Sequence, residues 1–156
     1  RDQPRSRGLG DVYKRQELYN ENNLIKSDGD PNFYESETAN NGTEMKNIIH
    51  VDLYWKDSAS CTYNLNGKYD VVKGQEFLSK GQMNQDGTTY FVAYGDGKEL
   101  YTSPKITAGV LPKNVSFNVS GVQTLEIKFY KTSDSYDSAH FYLSGLTAQK
   151  NIKGSE

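Results

Sequence analysis

From residue 46 onward the chain repeats one pattern, short runs of β-branched and aromatic residues separated by Gly, Asn, Asp and Ser. Eight runs succeed one another: KNIIHVDLYW, SCTYNL, YDVVKGQEFL, TTYFVAYG, KELYTS, NVSFNV, QTLEIKFYK and AHFYLSGLTAQ. Several alternate residue by residue. Val115, Phe117 and Val119 point one way with Ser116 and Asn118 the other, and Leu125, Ile127 and Phe129 oppose Glu126 and Lys128. A period of two sets one face on a core and the other in water. Asp96-Gly97, inside YGDGKE, suits the two positive-φ positions of a type I′ turn and predicts a hairpin of 88–95 with 98–103. Short strands at this spacing, with no helical crossover pattern between them, make an all-β antiparallel sandwich rather than a parallel α/β sheet.

The 156 residues suffice for one domain with a real core. Residues 1–16 carry five basic and two acidic side chains, which leaves thirteen basic and eighteen acidic in 17–156 and a body of net charge −5. A mildly acidic body without basic clusters lacks the electrostatic footprint of a nucleic-acid binder. No apolar run approaches the roughly 18 residues that span a bilayer, so membrane insertion is not expected. Cys61 is the single cysteine. It can form no intrachain disulfide, and among strand residues it reads as a small buried hydrophobe.

RDQPRSRGLGDVYKRQ, residues 1–16, differs in charge and periodicity from the rest of the chain and lacks the apolar stretch of a signal peptide. It resembles a translated sequencing-adaptor read. On that reading the chain is a fragment whose true upstream sequence is missing. Residues 17–45 show no sustained apolar period and read as an irregular lead-in with one short strand. The sandwich is expected over 46–150, with 151–156 as a tail.

Tests for catalytic and metal motifs fail. Asp28, Asp30 and Asn32 match the first positions of a calcium loop, but Phe33 stands where Gly is required and Ala39 where Glu is required. Hairpin geometry accounts for GDGK at 95–98 without a phosphate loop, and no Gly-x-Ser-x-Gly elbow exists. The domain is therefore read as non-catalytic. A small glycan-acting enzyme would need two carboxylates facing one cleft at about 5 to 10 Å.

Rings near turns point elsewhere. Sugars stack their C–H faces on Tyr and Trp while neighbouring amides and carboxylates bond the hydroxyls. Trp55, beside Tyr54 and before the polar KDSAS turn, serves either as a packed ring or as such a surface, and the same choice holds for Tyr136. KTSDSYDSAHF, residues 131–141, gathers Asp134, Tyr136, Asp137 and His140 between two strands. The spacing by threes would align Asp134, Asp137 and His140 only on a helix, which the Ser, Asp and Tyr content opposes, so the stretch is a loop.

Three stretches carry a resemblance: TYNLNGKYDVVKG, TTYFVAYGDGKELYTSPKITAG and NVSFNVSGVQTLEIKF. Over roughly 46–148 the chain resembles the NPCBM domain, a carbohydrate-binding module of the glycosyl hydrolase family 98 type, also classed as carbohydrate-binding module family 51. The resemblance implies a galactose-binding-like jelly-roll β-sandwich of about eight strands. It also implies attachment to other domains of a longer bacterial chain, at the cell surface or outside the cell, with a glycan such as a galactose-containing sugar as partner. Some related sandwiches hold calcium, so a structural calcium ion is compatible with it, and no other cofactor is implied. Where many members read Tyr-Asp-His-Ala-Asp-Trp, this chain has Tyr136-Asp137-Ser138-Ala139-His140-Phe141. By that comparison it lacks a stacking ring and two polar contacts at this place. NIIH at 47–50 loosely resembles a family segment ending in Gly-x-His, which makes His50 a further candidate, with a structural role as its alternative. The candidate glycan residues are Tyr136, Asp137, His140, Tyr54, Trp55 and His50. The competing reading is a structural or adhesive protein-interaction sandwich that has lost the sugar site.

Overall fold

The computed structural model describes residues 14–132 and 136–150. Among them run eleven strands: β1 (Arg15–Glu17), β2 (Leu24–Asp28), β3 (Asn32–Thr38), β4 (Glu44–Asp52), β5 (Ser58–Asn64), β6 (Val71–Phe77), β7 (Thr89–Gly95), β8 (Lys98–Thr102), β9 (Lys113–Asn118), β10 (Thr124–Lys131) and β11 (His140–Gln149). The eight runs expected from alternation are β4 to β11. All pairings are antiparallel. One sheet has the order β3-β4-β11-β6-β9, with β1 also paired to β11, and the other has the order β2-β5-β10-β7-β8. The two stack as a jelly-roll β-sandwich.

Alternation explains the core. Val115, Phe117 and Val119 from the β9 run and Leu125, Ile127 and Phe129 from β10 are buried, as are Ile49 and Val51 of β4 and Phe141 and Leu143 of β11. Phe91 lies among the rings of Phe117, Phe129 and Phe141, with centroids 5.7 to 6.2 Å away. Each such ring taken from water contributes roughly 2 to 3 kcal/mol. Cys61 is fully buried in the same cluster, and burial pushes its thiol up to about 12. Asp96 and Gly97 take φ of 50° and 84°, the two positive values of the expected hairpin turn between β7 and β8.

Residues 17–45 differ from the expected irregular lead-in. They hold the end of β1, β2, β3 and the start of β4. β2 and β3 are edge strands, mostly solvent-exposed. An edge strand wet on most of its surface needs few apolar residues, so the polar run LIKSD gives no period to read. The sandwich accordingly extends over Arg15–Gln149 rather than beginning at 46. Arg15 and Gln16, inside the segment set apart as adaptor-derived, pair with Gln149 and Ala148. Residues 1–13 and the expected tail at 151–156 lie outside the described residues.

β11 is the central strand of its sheet. β4 pairs with His140–Ser144 on one edge, and the same edge passes to β1 from Thr147. Between them the β6 register shifts at a bulge holding Gly145, whose φ is 67°. The register of β4 on β11 sets Asp52 opposite His140 and His50 opposite Tyr142. Neighbouring Val51 and Phe141 point into the core, so these four side chains line the outer face.

Candidate functional site

β4 ends and β11 begins at one tip of the sandwich, and there the structure brings most of the sequence candidates together. The tip is built from a turn at 53–56 and the loop leading to β11. Leu53 N donates to the Ala139 carbonyl (2.7 Å), and Lys56 N closes the turn on the Leu53 carbonyl (3.2 Å). Two ammonium groups pin it further: Lys131 Nζ on the Leu53 carbonyl (2.7 Å) and Lys56 Nζ on the Gly29 carbonyl (3.0 Å). Gly29 itself packs so closely on β5 that a Cβ there would lie 2.7 Å from that of Ala59. The Asp52 carboxylate caps the Tyr54 amide at 3.0 Å.

This frame holds Trp55 at φ 70°, a left-handed conformation in which a bulky side chain is an outlier. The residue is 61% exposed. Tyr136, from a loop 81 positions further along the chain, meets it edge to face at a centroid distance of 4.4 Å, and Tyr54 does so at 5.3 Å. Three exposed rings therefore converge. Trp55 is thus an exposed ring packed edge to face on two others, and not a core residue. Asp137 comes directly after Tyr136 and is half-buried. Asp134 lies outside the described residues.

Beneath the rings, on the outer face, His50 and His140 form a second group. His50 Nε2 lies 2.8 Å from His140 Nδ1, and His50 Nδ1 lies 3.2 Å from Asn32 Nδ2. Tyr142 stacks on His50 at 4.3 Å. The His140 backbone is clamped by Gln85, whose Oε1 accepts from its N–H (2.8 Å), and by Thr89, whose hydroxyl donates to its carbonyl (2.9 Å). Burial and the neighbouring His140 push the His50 imidazole down to about 4, against the pull of Asp52. Burial also lowers His140, opposed by Asp52 and Glu37. Burial raises Tyr142 to about 12, and burial and the Glu37 carboxylate, which accepts from the Tyr34 hydroxyl at 2.9 Å, raise Tyr34 well above the usual phenol range.

The two candidate groups are thus distinct. Tyr54, Trp55 and Tyr136 present open ring surface, whereas His50 and His140 are partly buried and bonded to each other. Phe141 corrects an expectation. It is fully buried against Phe91 and Phe129, so this position faces the core, and replacing Trp by Phe removes no solvent-facing ring here. Sequence reasoning weighed Asn32 only as a calcium-loop position and passed over Asp52 and Gln85. Alternation along KNIIHVDLYW does set His50 and Asp52 on one face, but nothing local in the sequence pairs them with His140.

No three His, Cys, Asp or Glu side chains among the described residues converge as a metal set. Calcium also takes backbone and amide carbonyl oxygens, so side-chain carboxylates are only part of the donor set a structural calcium ion would use. Glu76, whose two oxygens are buried and unbonded, is paired across the strands with Lys113 rather than with a second carboxylate.

Solved structures share the fold. The CBM51 module of Clostridium perfringens GH95, solved with methyl-galactose, superposes with a TM-score of 0.66 at 17% identity, over 87% of this chain and 100% of that one. The tandem CBM51 modules of the family 98 glycoside hydrolase of Streptococcus pneumoniae SP3-BS71 give 0.67 at 16%, over 88% and 47%. CBM51-2 with the INT domains of Clostridium perfringens ZmpB, in complex with GlcNAc, gives 0.65 at 14%, over 90% and 32%. The chain thus spans about a third of one of these proteins and about half of another. No curated protein matches it. The NPCBM/NEW2 domain model matches residues 53–147, a span that takes in the three rings of the tip and His140 but not His50. Matched over more than half of its length, the chain belongs to the NPCBM/NEW2 domain family.

Proposed function

We propose that the chain is a non-catalytic carbohydrate-binding module that holds a glycan at the tip formed by Tyr54, Trp55 and Tyr136. Ring stacking supplies the contact area, Asp137 bonds sugar hydroxyls, and His50 and His140 support the tip from behind. The observation that carries this reading is Trp55. A large aromatic residue kept 61% exposed, in a conformation that costs about 1 to 2 kcal/mol and favours glycine, gives nothing to the core and is explained by contact with something outside the chain. Solved modules of the same fold hold methyl-galactose and GlcNAc, which supports a monosaccharide-sized ligand, with galactose-type sugars the first choice. In this reading the chain is one module of a longer bacterial extracellular or surface protein such as a glycoside hydrolase. The adhesive alternative calls for a flat polar tip together with a long uncovered edge strand; β3 supplies such an edge, but rings converging beside Asp137 at the tip favour a sugar.

Calorimetric titration with galactose, N-acetylgalactosamine and N-acetylglucosamine, backed by a glycan array, tests it. A shallow exposed site predicts a Kd in about the micromolar to millimolar range. Tyr136→Ala and Asp137→Ala are expected to weaken binding while leaving the thermal transition in place. Absence of binding across a broad panel sinks the proposal.

A further inference from the structure

Four groups on the outer face form a directional chain. With the Asn32 amide turned so that Nδ2 faces His50 Nδ1 at 3.2 Å, His50 Nδ1 accepts and the tautomer that completes the chain carries the His50 proton on Nε2. That proton goes to His140 Nδ1 at 2.8 Å, which places the His140 proton on Nε2, pointing at Asp52 Oδ1 3.8 Å away. Every imidazole lone pair is then occupied. The pair can take up a proton only by reversing the chain: the Asn32 amide turns its oxygen to His50, His50 moves its proton to Nδ1, and His140 carries both. Asp52 favours a charge on either ring, but it faces His140 Nε2 directly at 3.8 Å and Glu37 adds to it there, so the charge comes to rest on His140, and a second charge on His50 would face the first. The other groups facing the pair are Tyr34 of β3 and Tyr142 of β11, neutral phenols at these pH values. Gln85 and Thr89 fix the His140 backbone, and the His50 bond and the stacked His50 ring hold its imidazole.

Asp52 is where this chain meets the tip. Its Oδ1 both caps the Tyr54 amide at 3.0 Å and faces His140 Nε2 at 3.8 Å, and its side chain is 48% exposed and so free to shift. Resting on the reading of the Trp55 tip as the binding surface, we propose that Asp52 is a positioning residue of that tip and that the His50–His140 pair controls it. One proton taken up by the pair draws the Asp52 carboxylate onto His140 and away from the Tyr54 amide, which releases the ring cluster. Acidification below the ordinary histidine range therefore weakens glycan binding.

Trp55 is the chain's only tryptophan, so its emission reports the tip without a ligand. The full chain, titrated from about pH 7.5 to 4.5 with far-UV dichroism as the fold control, is expected to show a one-proton change in Trp55 emission with its midpoint below 6.5. His140→Gln is expected to lose the change. Asp52→Asn, which still caps Tyr54 but does not attract an imidazolium, is expected to keep the neutral-pH spectrum throughout, while Asp52→Ala is expected to show the acid spectrum already at pH 7.5. The proposal is overturned by a flat wild-type profile, by the same transition in His140→Gln, or by a wild-type transition in Asp52→Asn. With galactose as probe, the apparent Kd is expected to rise in wild type by at most about tenfold per pH unit, the limit for one linked proton, and to stay level in Asp52→Asn. Failure of galactose to bind at either pH counts against the glycan reading alone, because the emission change needs no sugar.

Discussion

Replacing Glu76 by Gln is expected to remove the pH dependence of stability between about pH 6.5 and 8.5. Glu76 lies in β6 opposite Leu143, is 0% exposed, and has both carboxyl oxygens unbonded among the described residues. Burial raises its pKa from 4.5 to about 8, against the pull of Lys113 and Ser103. Lys113 is itself exposed, and the Ser103 hydroxyl donates to the Pro104 carbonyl at 3.1 Å, so neither compensates fully. Between these two pH values the folded state binds more protons than the unfolded one. Stability therefore falls as pH rises through the interval and levels off above it, a total of about 5 kcal/mol. His50, lowered from 6.5 to about 4, has the opposite sign: the unfolded state binds the extra proton, and stability is lost as pH falls from 6.5 towards 4. The two slopes largely cancel below 6.5. From there to about 8.5 Glu76 acts alone, and the loss is about 2 kcal/mol. With a urea dependence of about 2 kcal/mol per molar, the wild-type midpoint drops by about 1 M across this window. Glu76→Gln, neutral at every pH, is expected to stay level. A constant wild-type midpoint, or a parallel fall in the variant, refutes the reasoning.

Trp55→Gly is expected to abolish glycan binding in calorimetry while keeping the thermal midpoint or raising stability by up to about 1 kcal/mol, since glycine relieves the left-handed strain. Trp55→Ala is expected to lose binding too and to be less stable than the glycine variant. A large loss of stability in both would show that the ring is structural. Phe141→Ala is expected to cost about 3 to 5 kcal/mol in urea denaturation, and Phe141→Trp about 1 to 3 kcal/mol by overpacking against Phe91 and Phe129. A tryptophan variant as stable as wild type would mean that this part of the core has spare volume.

How far each element could be read in advance depends on where its residues sit. Strands dry on one face announce themselves, as Leu125, Ile127 and Phe129 do in β10, because burial enforces the period of two. β2 and β3 are wet on most of their surface and leave no such trace. The tip was half legible. The polar turn after Trp55 and the loop character around Tyr136 mark both as surface positions, but their contact depends on β4 and β11 being in register across 90 residues, from His50 to His140, which no local pattern encodes. The left-handed backbone at Trp55 was equally hidden. Turn chemistry would have put Gly there, and its absence is visible only once φ is known.

The central place of β11 also imposes an order of assembly during synthesis. The five strands of one sheet have all been made once Lys131 leaves the ribosome, so that layer can pair while the chain is still growing. Its companion cannot, because β4 and β6 have no β11 between them until His140–Gln149 has been made, and each keeps one unpaired edge until then. The seam where Asp52 meets His140 and Trp55 meets Tyr136 is created by that last pairing. A nascent chain gains its ring cluster only when its second layer closes, so the competence of the tip doubles as a signal that the whole sandwich is complete.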